Sequence, residues 1–250
     1  MQTQFSTAAQ AAIRWLDLPG TGHPVVFVHG LGCAASYEYP RVVADAAWSG
    51  RRAILIDLPG SGYSDKPQAY DYSTTHQAEA VAEVIDSLGV AACGLYGHSM
   101  GGSIAIEAAG LLGSRVDALA VSEPNFYAGG GFFSRQIVRW TEADFVATGF
   151  AALVEQEQTA WKGCLQATAP AALWRAARSL TDGVAPDWMT RFLALTCRKA
   201  LIVGERSLPD ADAAFVAGKG IAVHTVASAG HSMSWENPAA LAAALSAIMD

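Results

Sequence analysis

The chain has 250 residues, of which 52% are apolar and 16% charged, and its formal net charge is −7. This length fits one large domain with a sizeable core, and the apolar content excludes a disordered chain. The Lys and Arg residues are scattered, so the basic stripe that nucleic acid binding requires is missing, and we expect no nucleic acid partner.

The N-terminus and the cysteines favour a cytoplasmic protein. No basic region followed by an apolar one opens the chain, and no apolar stretch reaches the ~20 residues that span a bilayer. The four cysteines form no Cys-x-x-Cys pair and are expected to be reduced thiols. We therefore expect a cytoplasmic protein that acts on a small molecule and has no membrane span. The sequence does not indicate an oligomeric state.

Short apolar runs that stop at glycine or at small polar residues recur along the chain. They are apolar at nearly every position, which is typical of strands covered on both faces of a sheet. An alternating segment at residues 12–17 precedes them and suits an edge strand. The apolar runs lie at residues 25–28, 53–56, 94–96, 118–121, 200–203 and 221–223.

Helical patterns lie between these runs. Residues 75–88 repeat apolar side chains at helical spacing before Gly89, residues 103–112 precede Gly113, and Pro238 opens a last helix. Strands that alternate with helices predict an α/β fold with a mostly parallel, doubly wound sheet. In such sheets ligands bind at the carboxyl ends of the strands.

The segment at residues 127–198 departs from this alternation. It contains no convincing strand, and it carries four of the seven tryptophans. We expect helices at residues 132–158 and 170–180, lying over the carboxyl edge of the sheet. The predicted organisation is a core formed by residues 1–126 and 199–250, with residues 127–198 inserted as a helical cap.

A Gly-His-Ser-Met-Gly segment lies at residues 97–101, between a predicted strand and a predicted helix. The chain must reverse sharply there, which strains the serine backbone and requires glycine on each side. The helix N-terminus beneath the serine favours developing negative charge. Ser99 is therefore predicted to be a catalytic nucleophile.

A serine hydroxyl needs a base, and His231 is the candidate because it follows the last predicted strand on the active edge. The developing oxyanion needs two backbone N–H donors. We expect these from Met100, which follows the nucleophile, and from Leu31, in the glycine-flanked loop after the first core strand. No metal or organic cofactor is expected, because no ligand cluster or dinucleotide fingerprint is present.

Together these motifs resemble those of the α/β-hydrolase family, in particular its esterase-like, cofactor-free members. The matching segments are residues 29–32, 57–64, 97–101 and 230–232, in the family's order. The resemblance implies a core sheet of about eight strands, a helical cap after the sixth strand, and a chain order of nucleophile, acid and histidine. It also implies that Asp57 braces a loop and is not catalytic.

The catalytic acid departs from the family pattern. The family commonly carries Gly-Glu-x-Asp after the strand at residues 200–203, whereas this chain has Ser207 in place of the aspartate. Glu123 is the predicted acid, because some branches of the family move the acid to the preceding strand end and because a charge beside a buried strand needs a partner. Asp210 is the alternative and would require a displaced loop. Glu205, or no acid at all, is the remaining possibility.

The predicted activity is two-step acyl transfer, most directly hydrolysis of a carboxylic ester with an apolar acyl or aryl group. The expected substrate contacts are Phe126, Tyr127 and Trp140; the simpler interpretation is that they pack the cap onto the core. The same residues could cleave a carbon–carbon bond, a lactone or an amide, or transfer the acyl group to another acceptor. A non-catalytic ligand-binding relative is the third possibility.

Overall fold

An eight-stranded sheet forms the centre of the fold in the computed structural model, which describes residues 1–250. The strands are β1 (Gln2–Ser6), β2 (Ala11–Leu18), β3 (Thr21–Val28), β4 (Arg51–Asp57), β5 (Cys93–His98), β6 (Val116–Ser122), β7 (Arg198–Gly204) and β8 (Ala222–Val226). Their spatial order is β1-β2-β4-β3-β5-β6-β7-β8. Only the pairs β1–β2 and β2–β4 are antiparallel. The predicted α/β class with a mostly parallel sheet is confirmed.

Helices flank the sheet on both faces. They are α1 (Ala35–Glu38), α2 (Pro40–Val43), α3 (Thr74–Ser87), α4 (Met100–Leu112), α5 (Phe132–Ile137), α6 (Glu142–Asp144), α7 (Phe150–Gln156), α8 (Trp161–Gln166), α9 (Pro170–Asp182), α10 (Trp188–Ala194), α11 (Ala211–Gly218), α12 (Met233–Glu236) and α13 (Pro238–Met249). None of these helices is long and apolar enough to cross a membrane.

Alternate residues of each central strand face two different cores. Val26 and Val28 of β3 belong to a core that includes α3 and α4, whereas Val25 and Phe27 belong to a core that includes Trp48 and α13. Successive side chains of a strand point to opposite faces, so helices on both sides leave these strands apolar throughout. Because strands β3 to β8 all run parallel, their carboxyl ends share one edge of the sheet.

Between β6 and β7 the chain forms six helices, α5 to α10, and no strand. A π-helical turn, Phe145–Gly149, joins α6 to α7. Ile137, Phe145, Leu165 and Leu173 pack in a small core of this segment. This helical segment has its own apolar interior and is inserted at the edge where the strands end.

Candidate active site

Ser99 lies at the tip of a sharp turn between β5 and α4. Its backbone has φ 53° and ψ −123°, a conformation that a non-glycine residue keeps only where the surrounding structure imposes it. The Ser99 N–H donates to the Ser122 carbonyl at 2.9 Å, which ties the turn to the end of β6. The Ser99 side chain makes no capping hydrogen bond, so the hydroxyl is not engaged by the helix that it precedes.

Gly97 and Gly101 allow this turn to be so tight. A Cβ atom on Gly97 would collide with the backbone of Gly101, and one on Gly101 would collide with the carbonyl groups of Val28 and His29. Backbone atoms cannot move aside as the end of a flexible side chain can. The two glycines therefore set how closely the nucleophile turn packs on β3.

Replacing Gly101 by Ala is expected to lower the free energy of unfolding by about 1–3 kcal/mol, because the added methyl group overpacks the turn. Gly110, in the same helix, is the matched control, since a Cβ atom there meets nothing within 4 Å. Gly110→Ala should leave stability unchanged or raise it by up to about 1 kcal/mol. Urea unfolding of the two variants measures both values, and equal effects would contradict the close packing described above.

His231 and Glu123 form a hydrogen-bonded pair. The His231 Nδ1–H donates to Glu123 Oε2 at 2.6 Å. With the proton on Nδ1, Nε2 of the neutral ring can accept another. Both residues and Ser99 line one cavity. No hydrogen bond joins the Ser99 hydroxyl to the His231 ring in this structure, and such bonds often tighten only when substrate is bound.

Glu123 lies directly after β6, with its carboxyl group between the ends of β6 and β7. Its N–H donates to the Ile202 carbonyl at 3.1 Å, and its Oε1 accepts from the Gly204 N–H at 2.9 Å. Burial acts to raise the pKa of Glu123, but hydrogen bonds from His231, Gly204 and Ser207 outweigh it and lower this pKa to about 2. The carboxyl group is therefore ionised at neutral pH.

The other two candidate acids are engaged elsewhere. Asp210 caps α11, since its Oδ1 accepts from the Ala213 N–H at 2.7 Å. Glu205 Oε2 accepts from the Ser228 N–H at 2.7 Å. The structure thus brings Glu123 to His231 and brings neither Asp210 nor Glu205 there.

His98 adjoins the nucleophile and packs against His231, with ring centroids 4.6 Å apart. Its Nδ1 shares a hydrogen bond with the Ser122 hydroxyl at 2.9 Å. Burial, with the positive charge of a protonated His231, lowers the pKa of His98 to about 3. His98 is consequently neutral at neutral pH and supports the ring of His231 from one side.

The two expected oxyanion donors lie beside the nucleophile and in the loop after β3. Met100 is the first residue of α4, so its N–H has no acceptor within the helix. Leu31 lines the cavity. Its carbonyl accepts from Trp161 Nε1 at 3.1 Å, which ties this loop to α8 of the helical segment.

Two buried polar residues brace the loops at this edge of the sheet. His29 Nε2 accepts from the Leu58 N–H at 3.0 Å. Asp57 Oδ1 accepts from the Ser36 N–H at 2.9 Å, and its Oδ2 accepts from the Ser36 hydroxyl at 2.7 Å and from the Tyr63 N–H at 3.0 Å. Asp57 thus has the loop-bracing contacts expected for it and lies outside the cavity.

A cavity of about 620 Å³ opens around Ser99, large enough for a small organic molecule. Of the three expected substrate contacts, Phe126 lines it. Tyr127 and Trp140 do not, and their side chains are 45% and 43% exposed. Trp140 packs instead on Gly149 within the helical segment, while Tyr127 turns outward. Neither residue lines the cavity, and their contact with substrate stays a prediction.

Glu38 and Trp235 line the cavity as well, and neither was among the candidates from the sequence. Trp161 packs against Phe133, with ring centroids 4.5 Å apart. Trp235 lies four residues after His231, and this short separation in the sequence could have indicated that it reaches the same cavity. Glu38 and Trp161 reach the cavity only through the tertiary fold.

Carboxyl groups dominate the charge of the cavity. None of the lining residues is Lys or Arg. No three His, Cys, Asp or Glu side chains are grouped so that they could hold a metal ion. The six lining carboxyl groups belong to Glu38, Glu123, Glu157, Asp210, Asp212 and Glu236.

Comparison with known proteins gives partial and full-length matches. A dihydrolipoyllysine-residue acetyltransferase component of an acetoin cleaving system from Pseudomonas putida is 38% identical over 114 residues, which cover 44% of this chain and 29% of the relative. A 2-hydroxymuconate semialdehyde hydrolase of the same species is 32% identical over 36% of this chain and 32% of the relative. The chain thus spans less than a third of the length of these two relatives. An esterase of Mycobacterium tuberculosis is 27% identical over 99% of this chain and 88% of the relative.

The fold also matches solved structures. An esterase from Thermogutta terrifontis has a TM-score of 0.78 at 19% identity, covering 98% of this chain and 96% of the other. An N-acyl homoserine lactonase has a TM-score of 0.75 at 21% identity, covering 99% and 96%. A family model described as alpha/beta hydrolase fold matches residues 23–198, and the resemblance seen in the motifs is confirmed. The chain therefore belongs to the α/β-hydrolase fold family.

Proposed function

We propose that the chain is an α/β-fold serine hydrolase that cleaves carboxylic esters. The observation that carries the proposal is the 2.6 Å hydrogen bond from His231 Nδ1–H to Glu123 Oε2, in the cavity that Ser99 also lines. This bond selects the tautomer whose Nε2 can take a proton from the Ser99 hydroxyl. The strained turn and the helix N-terminus at Ser99 favour the same chemistry.

In the first half of the reaction, Ser99 Oγ attacks the ester carbonyl carbon while His231 Nε2 takes its proton. The carbonyl oxygen becomes an oxyanion, which the N–H groups of Leu31 and Met100 stabilise. Glu123 holds the His231 ring and stabilises its positive charge. The tetrahedral intermediate then expels the alcohol, which receives the proton from His231, and an acyl-enzyme remains on Ser99.

In the second half, water attacks the acyl carbon and His231 takes a proton from it. The second tetrahedral intermediate collapses with release of the Ser99 oxygen, which recovers its proton from His231. The products are the acid and the alcohol, and the side chains return to their starting states. Apart from the ester and water, every group that acts in these steps belongs to the chain.

Residues 127–198 act in this proposal as a cap that closes the cavity over an apolar acyl or aryl group. Phe126, Phe133 and Trp161 supply apolar lining, and the Trp161–Leu31 hydrogen bond couples the cap to the oxyanion loop. The four free cysteines fit a reducing compartment, and we place the protein in the cytoplasm.

The test is turnover of p-nitrophenyl butanoate by the wild-type protein, together with labelling by a fluorophosphonate probe. We expect hydrolysis and a single covalent adduct, mapped by mass spectrometry to Ser99. A lactone, an amide and a diketone are assayed in parallel. Fast turnover of one of these beside weak ester turnover would replace the ester assignment, whereas no adduct at Ser99 would overturn the mechanism.

A further inference from the structure

Glu38 places a second carboxyl group in the cavity, and the mechanism above does not use it. It ends α1, is 2% exposed, and lines the cavity. The Ser234 hydroxyl donates to its Oε1 at 2.5 Å, whereas its Oε2 is buried with no hydrogen-bond partner. Burying a carboxylate without a compensating partner is strongly unfavourable. Glu38 therefore places an incompletely balanced carboxyl group in the wall of the cavity.

The groups around Glu38 only partly balance it. Burial raises the pKa of Glu38, which favours its neutral form; the hydrogen bond from Ser234, the neighbouring Cys33 thiol, and the positive charges of a protonated His231 and of Arg41 oppose this. A thiol is a weak donor. Arg41 is not a lining residue; it lies on the outer side, with its guanidinium 3.7 Å from the ring centre of Trp235. Inside the cavity no permanent positive charge faces Glu38.

The rest of the lining also favours a cation. Glu123 is bonded to His231, and Glu236 forms an ion pair with Arg206, but no lysine or arginine enters the cavity. A cavity lined by one sign of charge concentrates ligands of the opposite sign. The indole ring of Trp161 also lines the cavity, and aromatic rings attract cations.

We propose that the substrates of this site are esters that carry a protonated amine, with Glu38 as the residue that balances its charge. The inference rests on the proposed ester hydrolysis and adds the substrate class to it. An ammonium group bound in the cavity supplies the positive charge that balances the Glu38 carboxylate. Anionic esters are repelled by the same lining.

The test compares esters of equal shape and different charge. Dimethylaminoethyl butanoate is protonated at neutral pH, and isopentyl butanoate is its uncharged isostere; a second pair carries the amine on the acyl chain. Opposite charges a few ångströms apart in a partly buried site attract strongly, so we expect kcat/KM to be at least about tenfold higher for the amine in one of the pairs. Dimethylaminoethanol should likewise inhibit competitively and more strongly than isopentyl alcohol.

Glu38→Gln keeps the shape and the acceptor for Ser234 but removes the charge. The ratio of kcat/KM between amine and isostere should fall to within about twofold of unity. Glu157→Gln is the control, because it removes a charge from a less buried part of the lining and should change the ratio by less than about twofold. Labelling of Ser99 reports whether each variant is folded.

The outcomes separate this inference from the proposed function. Ester turnover without preference for the amine, or an undiminished preference in Glu38→Gln, overturns the inference alone. Failure to turn over any ester, with no labelling of Ser99, overturns the proposed function. Should Glu38→Gln not fold, equal inhibition of the wild type by the two alcohols would still overturn the role of Glu38.

Discussion

Ser99→Ala is expected to reduce kcat for p-nitrophenyl butanoate by at least about 10⁴-fold, because no other group replaces the attacking oxygen. Stability should be unchanged, since the Ser99 side chain makes no capping hydrogen bond to α4. Steady-state kinetics and thermal unfolding of the same preparation measure both quantities.

Ser232→Ala is the matched control for the nucleophile. Ser232 is an exposed serine that lines the same cavity, beside His231. This variant should keep both turnover and labelling by the fluorophosphonate. Labelling of Ser99→Ala, or loss of labelling in Ser232→Ala, would show that a different hydroxyl is the nucleophile.

Glu123→Gln is expected to lower kcat by about 10³–10⁴-fold. The glutamine amide cannot balance the charge of protonated His231, and its N–H₂ group can hold the ring in the wrong tautomer. Asp210→Asn removes a carboxylate from the same cavity but changes only a helix cap, so it should retain turnover. A large loss in Asp210→Asn beside full activity in Glu123→Gln would reverse the assignment of the acid.

The pH dependence of this loss follows from the lowered pKa of Glu123, about 2. A carboxyl group with a lowered pKa is charged at every pH above that value. The wild-type carboxylate is therefore fully ionised from mildly acidic to alkaline pH, and raising the pH gives it no further charge. The deficit of Glu123→Gln should persist in kcat measured across this range, and recovery of the variant at alkaline pH would contradict it.

The sequence predicts the central strands well because each is apolar throughout and ends at a glycine or small residue. It does not reveal β1, whose residues Gln2–Phe5 are exposed and polar in part, and which pairs with β2 at the edge of the sheet. The apolar pattern of the sequence also does not predict where each short helix between β6 and β7 begins and ends. Only α6 and α10 among them begin at a side-chain cap, formed by Thr141 and Asp187, whereas α5, α7 and α8 have none.

The site residues differ in how far their neighbours in the sequence determine where they lie. The strand-end position of Glu123 could be recognised because parallel strands bring their carboxyl ends to one edge. The role of Asp210 as the N-cap of α11 could also be predicted, because aspartate is a favoured residue at the start of a helix. Glu38 could not be found, because nothing in its neighbouring residues indicates that it lies at the cavity. The assignment of Glu123 as the catalytic acid stays a prediction that the variants test.

In the proposed reaction, the acidic lining of the cavity should affect the products as well as the substrates. Ester hydrolysis would release a new carboxylate among lining residues that include six carboxyl groups and no Lys or Arg. Like charges repel strongly where little water screens them. The acid should therefore leave quickly and inhibit weakly. Rebinding of the acid is disfavoured by the same repulsion, so hydrolysis should keep its rate as the acid accumulates, while the equilibrium between ester and acid is unchanged.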